Sequence, residues 1–216
     1  MIIRLKFILI TCLLLIGCGQ EPGEQIVVIQ TEFGDMTAKL YDSTPQHRDN
    51  FVKLVKAKYY DDLLFHRVIQ GFMLQGGDPD SKGSPAGAPL GSGGPGYRIP
   101  AEIGSPHFKG TLAAARTGGP SNPDLESSGS QFYIVQGSPQ NAQSLDAIGR
   151  QKGIQYSEAH IEKYTRMGGT PMLDMDYTVF GELISGYEVI DKIAGEETDG
   201  ADRPVSDIKM KIRMGN

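Results

Sequence analysis

The segment 65–77 constrains the fold of this chain most, because it mixes strand-forming apolar residues with an arginine and a glutamine that a plain core strand does not need. Its side chains alternate between two faces over residues 65–70, Gly71 supplies a bend, and a second extended piece follows over residues 72–75. The pattern predicts a strand, a turn and a second strand.

This hairpin places Arg67 and Gln75 on one face, with Phe72 or Met73 beside them. A planar guanidinium next to an apolar aromatic floor suits a neutral ligand whose carbonyl group must be both held and desolvated. An edge hairpin with a solvated arginine has the same spacing. Spacing alone does not decide between the two interpretations.

Residues 65–78 also match a known signature: Phe-His-Arg, two apolar residues, a spacer, Gly-Phe-Met, one residue, and Gln-Gly-Gly-Asp. On this match the chain resembles the cyclophilin-type peptidyl-prolyl cis-trans isomerases. The resemblance extends over about residues 26–214, apart from an insertion, through separate motifs in family order. It implies a mainly β fold, a closed eight-stranded antiparallel β-barrel capped by two α-helices, and catalysis of rotation about Xaa-Pro bonds.

The same resemblance implies a set of site residues. Its catalytic residues would be Arg67, Phe72 and Gln75. Its substrate-binding residues would be Met73, Ala115, Arg116, Gln131, Tyr133, Leu173 and Tyr177. Arg116 stands where the family has an asparagine, and Tyr133 where it has a second phenylalanine. Because the reaction makes and breaks no bond, we expect neither a cofactor nor a metal.

Composition agrees with one globular domain, since 39% of the 216 residues are hydrophobic and 22% are charged. The 28 glycines and 13 prolines favour short strands joined by loops. A formal net charge of −5 without a basic run argues against a nucleic-acid partner. We expect a monomer whose partners are proline-containing polypeptides.

The amino terminus has the form of a signal peptide. Arg4 and Lys6 precede an apolar run over residues 7–16 that is too short for a permanent membrane span. The following Leu15-Ile16-Gly17-Cys18 resembles a bacterial lipobox, which implies that residues 1–17 are removed and Cys18 is acylated. An ordinary cleaved signal is the alternative.

This interpretation predicts the domain organisation and the location. Residues 18–25 would be a lipidated tether, and residues 26–216 the isomerase domain. Cleavage would remove Cys12, the only other cysteine, so no disulfide could form within the domain. The protein would be anchored in the cell envelope, on the periplasmic side or at the outer membrane.

The largest departure from the family is an insertion at about residues 136–172. Its pattern predicts a helix over 157–166 that begins at Ser157, and a second helix over 142–152. We predict that Ile161 and Tyr164 hold the first helix near the substrate groove. Three charged residues would then meet the polypeptide, namely Glu158, Glu162 and Arg166. A helix packed outside the barrel without a role is the alternative.

Two other functions are compatible with parts of the chain. A client-binding or assembly module on the same fold would not need the intact Arg67 and Gln75. A nucleotide-dependent enzyme would rest on the glycine-rich residues 91–96, but that motif needs a strand before it and a helix after it. Here Pro95 lies inside the motif and residues 97–100 do not begin a helix, so we reject it.

Overall fold

Ten strands and four helices form the part of the chain that the computed structural model describes, residues 25–215. The strands are β1 (Ile26–Thr31), β2 (Gly34–Leu40), β3 (Leu63–Ile69), β4 (Met73–Gly76), β5 (Arg98–Ile99), β6 (Thr111–Ala114), β7 (Ser127–Ser128), β8 (Phe132–Val135), β9 (Val179–Ser185) and β10 (Lys209–Met214). Eight of them close a barrel in the order β1-β10-β3-β4-β8-β6-β9-β2, and β5 pairs with β7 outside it. The predicted signal peptide and Cys18 lie outside the described residues.

The helices are α1 (Pro45–Lys56), α2 (Ala142–Lys152), α3 (Glu158–Met167) and α4 (Tyr187–Ala194). Helices α1 and α4 bury their apolar faces in the main core, whereas α2 and α3 belong to the insertion. The predicted eight-stranded barrel with two capping helices and a helical insertion is therefore confirmed. Within residues 25–215, none of the helices has the length and apolar character needed to cross a bilayer.

The register of four neighbouring strands determines what fills the barrel. Val68 pairs with Leu74, Leu74 with Ile134, and Ile134 with Leu112, so these four side chains form one row across β3, β4, β8 and β6. Residues directly opposite each other in an antiparallel pair share a face of the sheet. All four are buried in the main core.

Aromatic packing connects α1 to the barrel. The ring of Phe132 on β8 meets Phe51 of α1 at a centroid distance of 5.4 Å and an interplanar angle of 85°. It meets Tyr60 at 5.6 Å and Phe65 at 6.5 Å, also edge to face. This geometry is the one that the ring quadrupole favours.

The insertion has a small core of its own. Leu145 of α2 and Tyr164 of α3 are fully buried against Phe108, and Ile161 packs beside them. The side chains that cap the two helices are those of Asn141 and Ser157, which accept from the backbone N–H groups of Ser144 and His160. Both helices lie where the sequence predicts them.

The two ends of the insertion come together against the barrel at a close backbone crossing. Gly169 has a φ of +151°, and a Cβ atom there would lie 2.3 Å from the carbonyl oxygen of His107. A Cβ atom on Gly137 would lie 2.4 Å from Gly169. Glycine is required at this crossing because the backbones leave no space for a side chain.

We predict that Phe132→Ala lowers the free energy of unfolding by about 3–5 kcal/mol, because the cavity it leaves is lined by rings that cannot collapse into it. Ile184→Ala is the matched control on β9, where the side chain is 54% exposed. Its effect should stay within about 0.5 kcal/mol. Equal losses in chemical denaturation would contradict the account of the core.

His66 on β3 is 4% exposed, and its burial lowers the pKa of the imidazole from 6.5. The unfolded chain therefore takes up a proton near pH 6.5, whereas the folded chain does so only at lower pH. The stability associated with neutral His66 is present above pH 6.5 and is lost as the pH falls.

We predict that melting temperatures at about pH 7.5 and about pH 5.5 differ less in His66→Phe than in the parent. Some pH dependence should remain, because burial also lowers the pKa of His47. Identical pH dependence in the two proteins would show that His66 does not contribute.

Candidate active site

The outer face of the barrel carries a second row of paired residues. Arg67 of β3 pairs with Gln75 of β4, and Gln75 pairs with Tyr133 of β8. These residues alternate with the interior row of Val68 and Leu74, so their side chains point outward. The register that fills the core therefore also brings the predicted arginine, glutamine and tyrosine side by side.

A small pocket lies over this row, with a volume of about 140 Å³. Its lining consists of Arg67, Phe72, Met73, Gln75, Ala115, Arg116, Tyr133, Leu173 and Tyr177. An engineered apolar cavity of about 150 Å³ holds benzene, so a space of this size suits one small ring. Nine of the ten site residues predicted within the domain line the pocket, and the tenth, Gln131, is bonded to Gln75.

The floor of the small pocket is apolar and rigidly packed. Met73 and Tyr133 are almost fully buried, in a cluster with Val135 and Val179 that is separate from the barrel interior. The ring of Tyr177 stands edge-on to that of Tyr133 at a centroid distance of 5.8 Å. A guest in this pocket would contact hydrocarbon below and polar groups at the rim.

An acidic residue from a distant turn orients the guanidinium of Arg67. Its Nε donates to Oδ2 of Asp202 at 3.3 Å, and the backbone N–H of neighbouring Val68 donates to the carbonyl oxygen of Asp202. The two side chains are 41% and 44% exposed, so the pair adds little to stability. The pair instead fixes the orientation of the guanidinium, since its Nε edge is engaged by Asp202.

Two glutamines connect the small pocket to an adjoining open groove. Gln75 Nε2 donates to Gln131 Oε1 at 3.0 Å, and Gln131 Nε2 donates to the carbonyl oxygen of Gly93 at 2.7 Å. The open groove has a volume of about 670 Å³ and shares Gln75, Ala115 and Arg116 with the small pocket. An extended chain could therefore cross from one into the other.

The glycine-rich residues 91–96 form one wall of the open groove. The buried carboxylate of Asp78 accepts from the backbone N–H groups of Gly91 and Gly93 and holds this loop. Strand β5 follows at Arg98, where a nucleotide-binding loop would need a helix. The rejection of a nucleotide site agrees with this geometry.

Arg116 lies folded against the wall of the small pocket. Its Nε donates to the carbonyl oxygen of Asp176 at 2.8 Å, and its guanidinium carbon lies 4.5 Å from the ring centroid of Tyr177. A cation over an aromatic face is an attractive arrangement. The sequence predicts only a charge at the rim here, whereas the structure shows a side chain that braces Tyr177.

A buried pair behind Tyr133 was not predicted from the sequence. His107 Nε2 lies 3.0 Å from the hydroxyl of Tyr133, and His107 Nδ1 lies 2.9 Å from Oδ1 of Asp174. Burial raises the pKa of the Tyr133 phenol well above its usual value, so the hydroxyl keeps its proton. The available signal was Tyr133 itself, because a buried tyrosine in place of phenylalanine needs a hydrogen-bond partner.

The insertion approaches the site differently from the prediction. Tyr164 is buried and Ile161 is partly buried, so this face of α3 does pack inward. Glu158, Glu162 and Arg166 are exposed and line neither the small pocket nor the open groove. The geometry does not support a direct contact between these charges and a bound chain.

Known proteins of one family resemble this chain along most of its length. The family described as "Cyclophilin type peptidyl-prolyl cis-trans isomerase/CLD" matches residues 26–213. A Staphylococcus epidermidis protein named "Putative peptidyl-prolyl cis-trans isomerase" is 38% identical over 191 residues, which cover 87% of this chain and 90% of that protein. A Staphylococcus aureus protein of the same name is 36% identical over 191 residues, which again cover 87% of this chain and 90% of that protein.

Solved structures show the same architecture. The crystal structure of a Cryptosporidium parvum cyclophilin-type isomerase aligns with a TM-score of 0.63 and 26% identity, and the alignment covers 89% of this chain and 98% of that one. A second structure of that protein, determined in the presence of the dipeptide Ala-Pro, has a TM-score of 0.62. By the family match, the identity to relatives along nearly their whole length and the shared barrel, the chain belongs to the cyclophilin-type peptidyl-prolyl cis-trans isomerases.

Proposed function

We propose that this isomerase accelerates rotation about Xaa-Pro bonds in exported polypeptides. The observation that carries the proposal is the guanidinium of Arg67, held by Asp202 at the rim of an apolar pocket of about 140 Å³. The Cryptosporidium parvum relative was crystallised in the presence of Ala-Pro, which supports a proline-containing substrate for this chain as well.

The reaction requires little chemistry from the protein. Rotation must break amide resonance across a barrier of about 18–20 kcal/mol, and uncatalysed exchange takes roughly tens to hundreds of seconds. As the amide twists, the lone pair on the prolyl nitrogen becomes localised. A donor already aimed at that nitrogen stabilises the twisted state without having to reorganise.

Each part of the site has a place in this mechanism. Arg67 donates to the prolyl nitrogen and steadies the proline carbonyl, while Gln75 anchors the backbone beside it. The proline ring lies on the apolar floor that Met73 and Tyr133 provide, between Phe72 and Leu173. The residues that flank the proline extend into the open groove, where Ala115, Arg116 and Gln131 hold them.

The cellular setting is the second part of the proposal. We propose that Cys18 carries a lipid that anchors a monomeric domain to the cell envelope, on the periplasmic side or at the outer membrane. The support is the charged start, the apolar run over residues 7–16 and the lipobox-like residues 15–18. The domain would then meet polypeptides as they emerge from the membrane.

We expect Arg67→Ala to lower kcat/KM on a proline tetrapeptide by about 100-fold to 1,000-fold, the scale on which removal of one preorganised donor acts. Asp202→Asn should give a smaller loss, because the guanidinium remains but loses its charged partner. Arg150→Ala is the matched control, since that side chain is 73% exposed on α2. It should isomerise the peptide at the parental rate.

The circular dichroism of all three variants should equal that of the parent. If Arg67→Ala retained parental activity, the proposed role of the guanidinium would be wrong. A parent protein that binds proline peptides without isomerising them would instead indicate a client-binding module.

Cys18→Ser should move the protein from the membrane fraction to the soluble fraction, because the thiol that receives the lipid is absent. Mass spectrometry of the parent should show a diacylated cysteine at residue 18 as the first residue. A parent that is soluble and carries no lipid would rule out the anchor and leave the isomerase proposal intact.

A further inference from the structure

A continuous chain of hydrogen bonds joins the helical insertion to the floor of the small pocket. It begins at Tyr156 and Tyr164 of the insertion, whose hydroxyls lie 2.8 Å and 2.7 Å from Oδ2 of Asp174. It continues from Oδ1 of Asp174 to Nδ1 of His107 at 2.9 Å, and from Nε2 of His107 to the hydroxyl of Tyr133 at 3.0 Å. We call this set the buried relay.

Asp174 is the centre of the buried relay. Its side chain is 3% exposed, and that of His107 is fully buried. Besides the two tyrosine hydroxyls and the imidazole, the carboxylate accepts the backbone N–H of His107 at 2.7 Å. A buried carboxylate with this many donors is well stabilised, whereas the removal of any one partner leaves a buried polar group unmatched.

The hydrogen-bond directions follow from which groups keep their protons. Burial, together with the charge of Asp174, raises the pKa values of Tyr156 and Tyr164, so both hydroxyls donate. A carboxylate only accepts hydrogen bonds, so His107 donates its Nδ1–H to Asp174, and in the neutral tautomer with that single ring proton Nε2 accepts from the Tyr133 hydroxyl. The hydrogen bonds of the two ring nitrogens of His107 therefore connect the insertion to Tyr133, whose ring lies under the small pocket.

A second connection runs from α2 to the wall of the pocket. Lys152 Nζ donates to the carbonyl oxygen of Asp174 at 2.9 Å and to Oδ2 of Asp176 at 2.6 Å. The carbonyl oxygen of Asp176 also accepts from Arg116, which lies over the ring of Tyr177. Between these contacts Met175 has a φ of +64°, a conformation that a non-glycine residue keeps only where its surroundings impose it.

We infer that the helical insertion supports the proline pocket from behind, with His107 and Asp174 as positioning residues that orient Tyr133, and with Lys152 holding the wall beside Tyr177. This inference rests on the proposed isomerase function. The insertion then acts on every proline substrate through the shape of the pocket. It does not need to touch the polypeptide.

The test compares kcat and KM for a proline tetrapeptide across Tyr133→Phe, Asp174→Asn and the double variant, all below their melting temperatures. Each single variant should lower kcat/KM by about tenfold, the scale of one lost hydrogen bond to a charged or buried partner. In the Tyr133→Phe background, Asp174→Asn should change kcat/KM by no more than about twofold, because the hydroxyl through which it acts is absent.

Tyr187→Phe is the matched control. The Tyr187 hydroxyl donates to the carbonyl oxygen of Leu183 at 2.5 Å, and Tyr187 lines neither the small pocket nor the open groove. This variant should lower the melting temperature and leave kcat/KM unchanged. If Asp174→Asn behaved in the same way, the buried relay would only stabilise the fold and the inference would be wrong. Independent effects of Asp174→Asn and Tyr133→Phe would also overturn it.

A milder variant and a second measurement cover the case in which Asp174→Asn does not fold. The double variant Tyr156→Phe and Tyr164→Phe leaves the carboxylate and His107 in place, and should lower kcat/KM by about threefold to tenfold. The NMR signals of the ¹³C-labelled Tyr133 ring should shift in it, a result that does not require catalysis. Parental ring signals would reject the inference, whereas an inactive parent whose Tyr133 signals respond would reject only the proposed function.

Discussion

The structure depends most on the register of β3, β4, β8 and β6 in the closed barrel. One row of paired residues, including Val68 and Leu74, fills the interior, and the next row, with Arg67 and Gln75, faces outward. A shift of one residue in β3 would bury Arg67 and expose Val68, and the same shift in β4 would exchange the faces of Leu74 and Gln75. Because the core excludes such shifts, the free energy that stabilises the barrel also determines where the candidate active site lies.

The site combines a buried floor with a partly exposed rim. Met73 and Tyr133 are packed as tightly as the core, while Arg67 is partly exposed and paired with an equally exposed Asp202. Such an ion pair contributes little to stability, so its value lies in orientation. In the proposed mechanism the proline ring lies on this densely packed surface, and the prolyl nitrogen faces a donor that Asp202 already orients.

This division suits a reaction in which no bond is made or broken. Catalysis of amide rotation asks only for a pocket that holds the ring and a donor that favours the twisted state. A pocket floor that moved during the reaction would neither hold the proline ring nor keep the prolyl nitrogen in front of the donor. The buried relay through Asp174 and His107 supplies stiffness from the side of the insertion, and the interior strands supply it from the other side.

Residue patterns along the chain predicted the hairpin at residues 65–77 and the two insertion helices, and the resemblance to the family implied the barrel and the ten candidate site residues that lie together in the structure. The hairpin and the helices follow from local periodicity, whereas the barrel and the site residues rest on the resemblance to family motifs that lie far apart in the chain. Only the packing of distant segments showed that Asp202 meets Arg67 across 135 residues, that His107 and Asp174 lie behind Tyr133, and that Glu158 and Glu162 line neither the small pocket nor the open groove. Such contacts depend on how separate elements pack against each other. The spacing of residues within one segment does not show which residue of a distant segment will lie beside it.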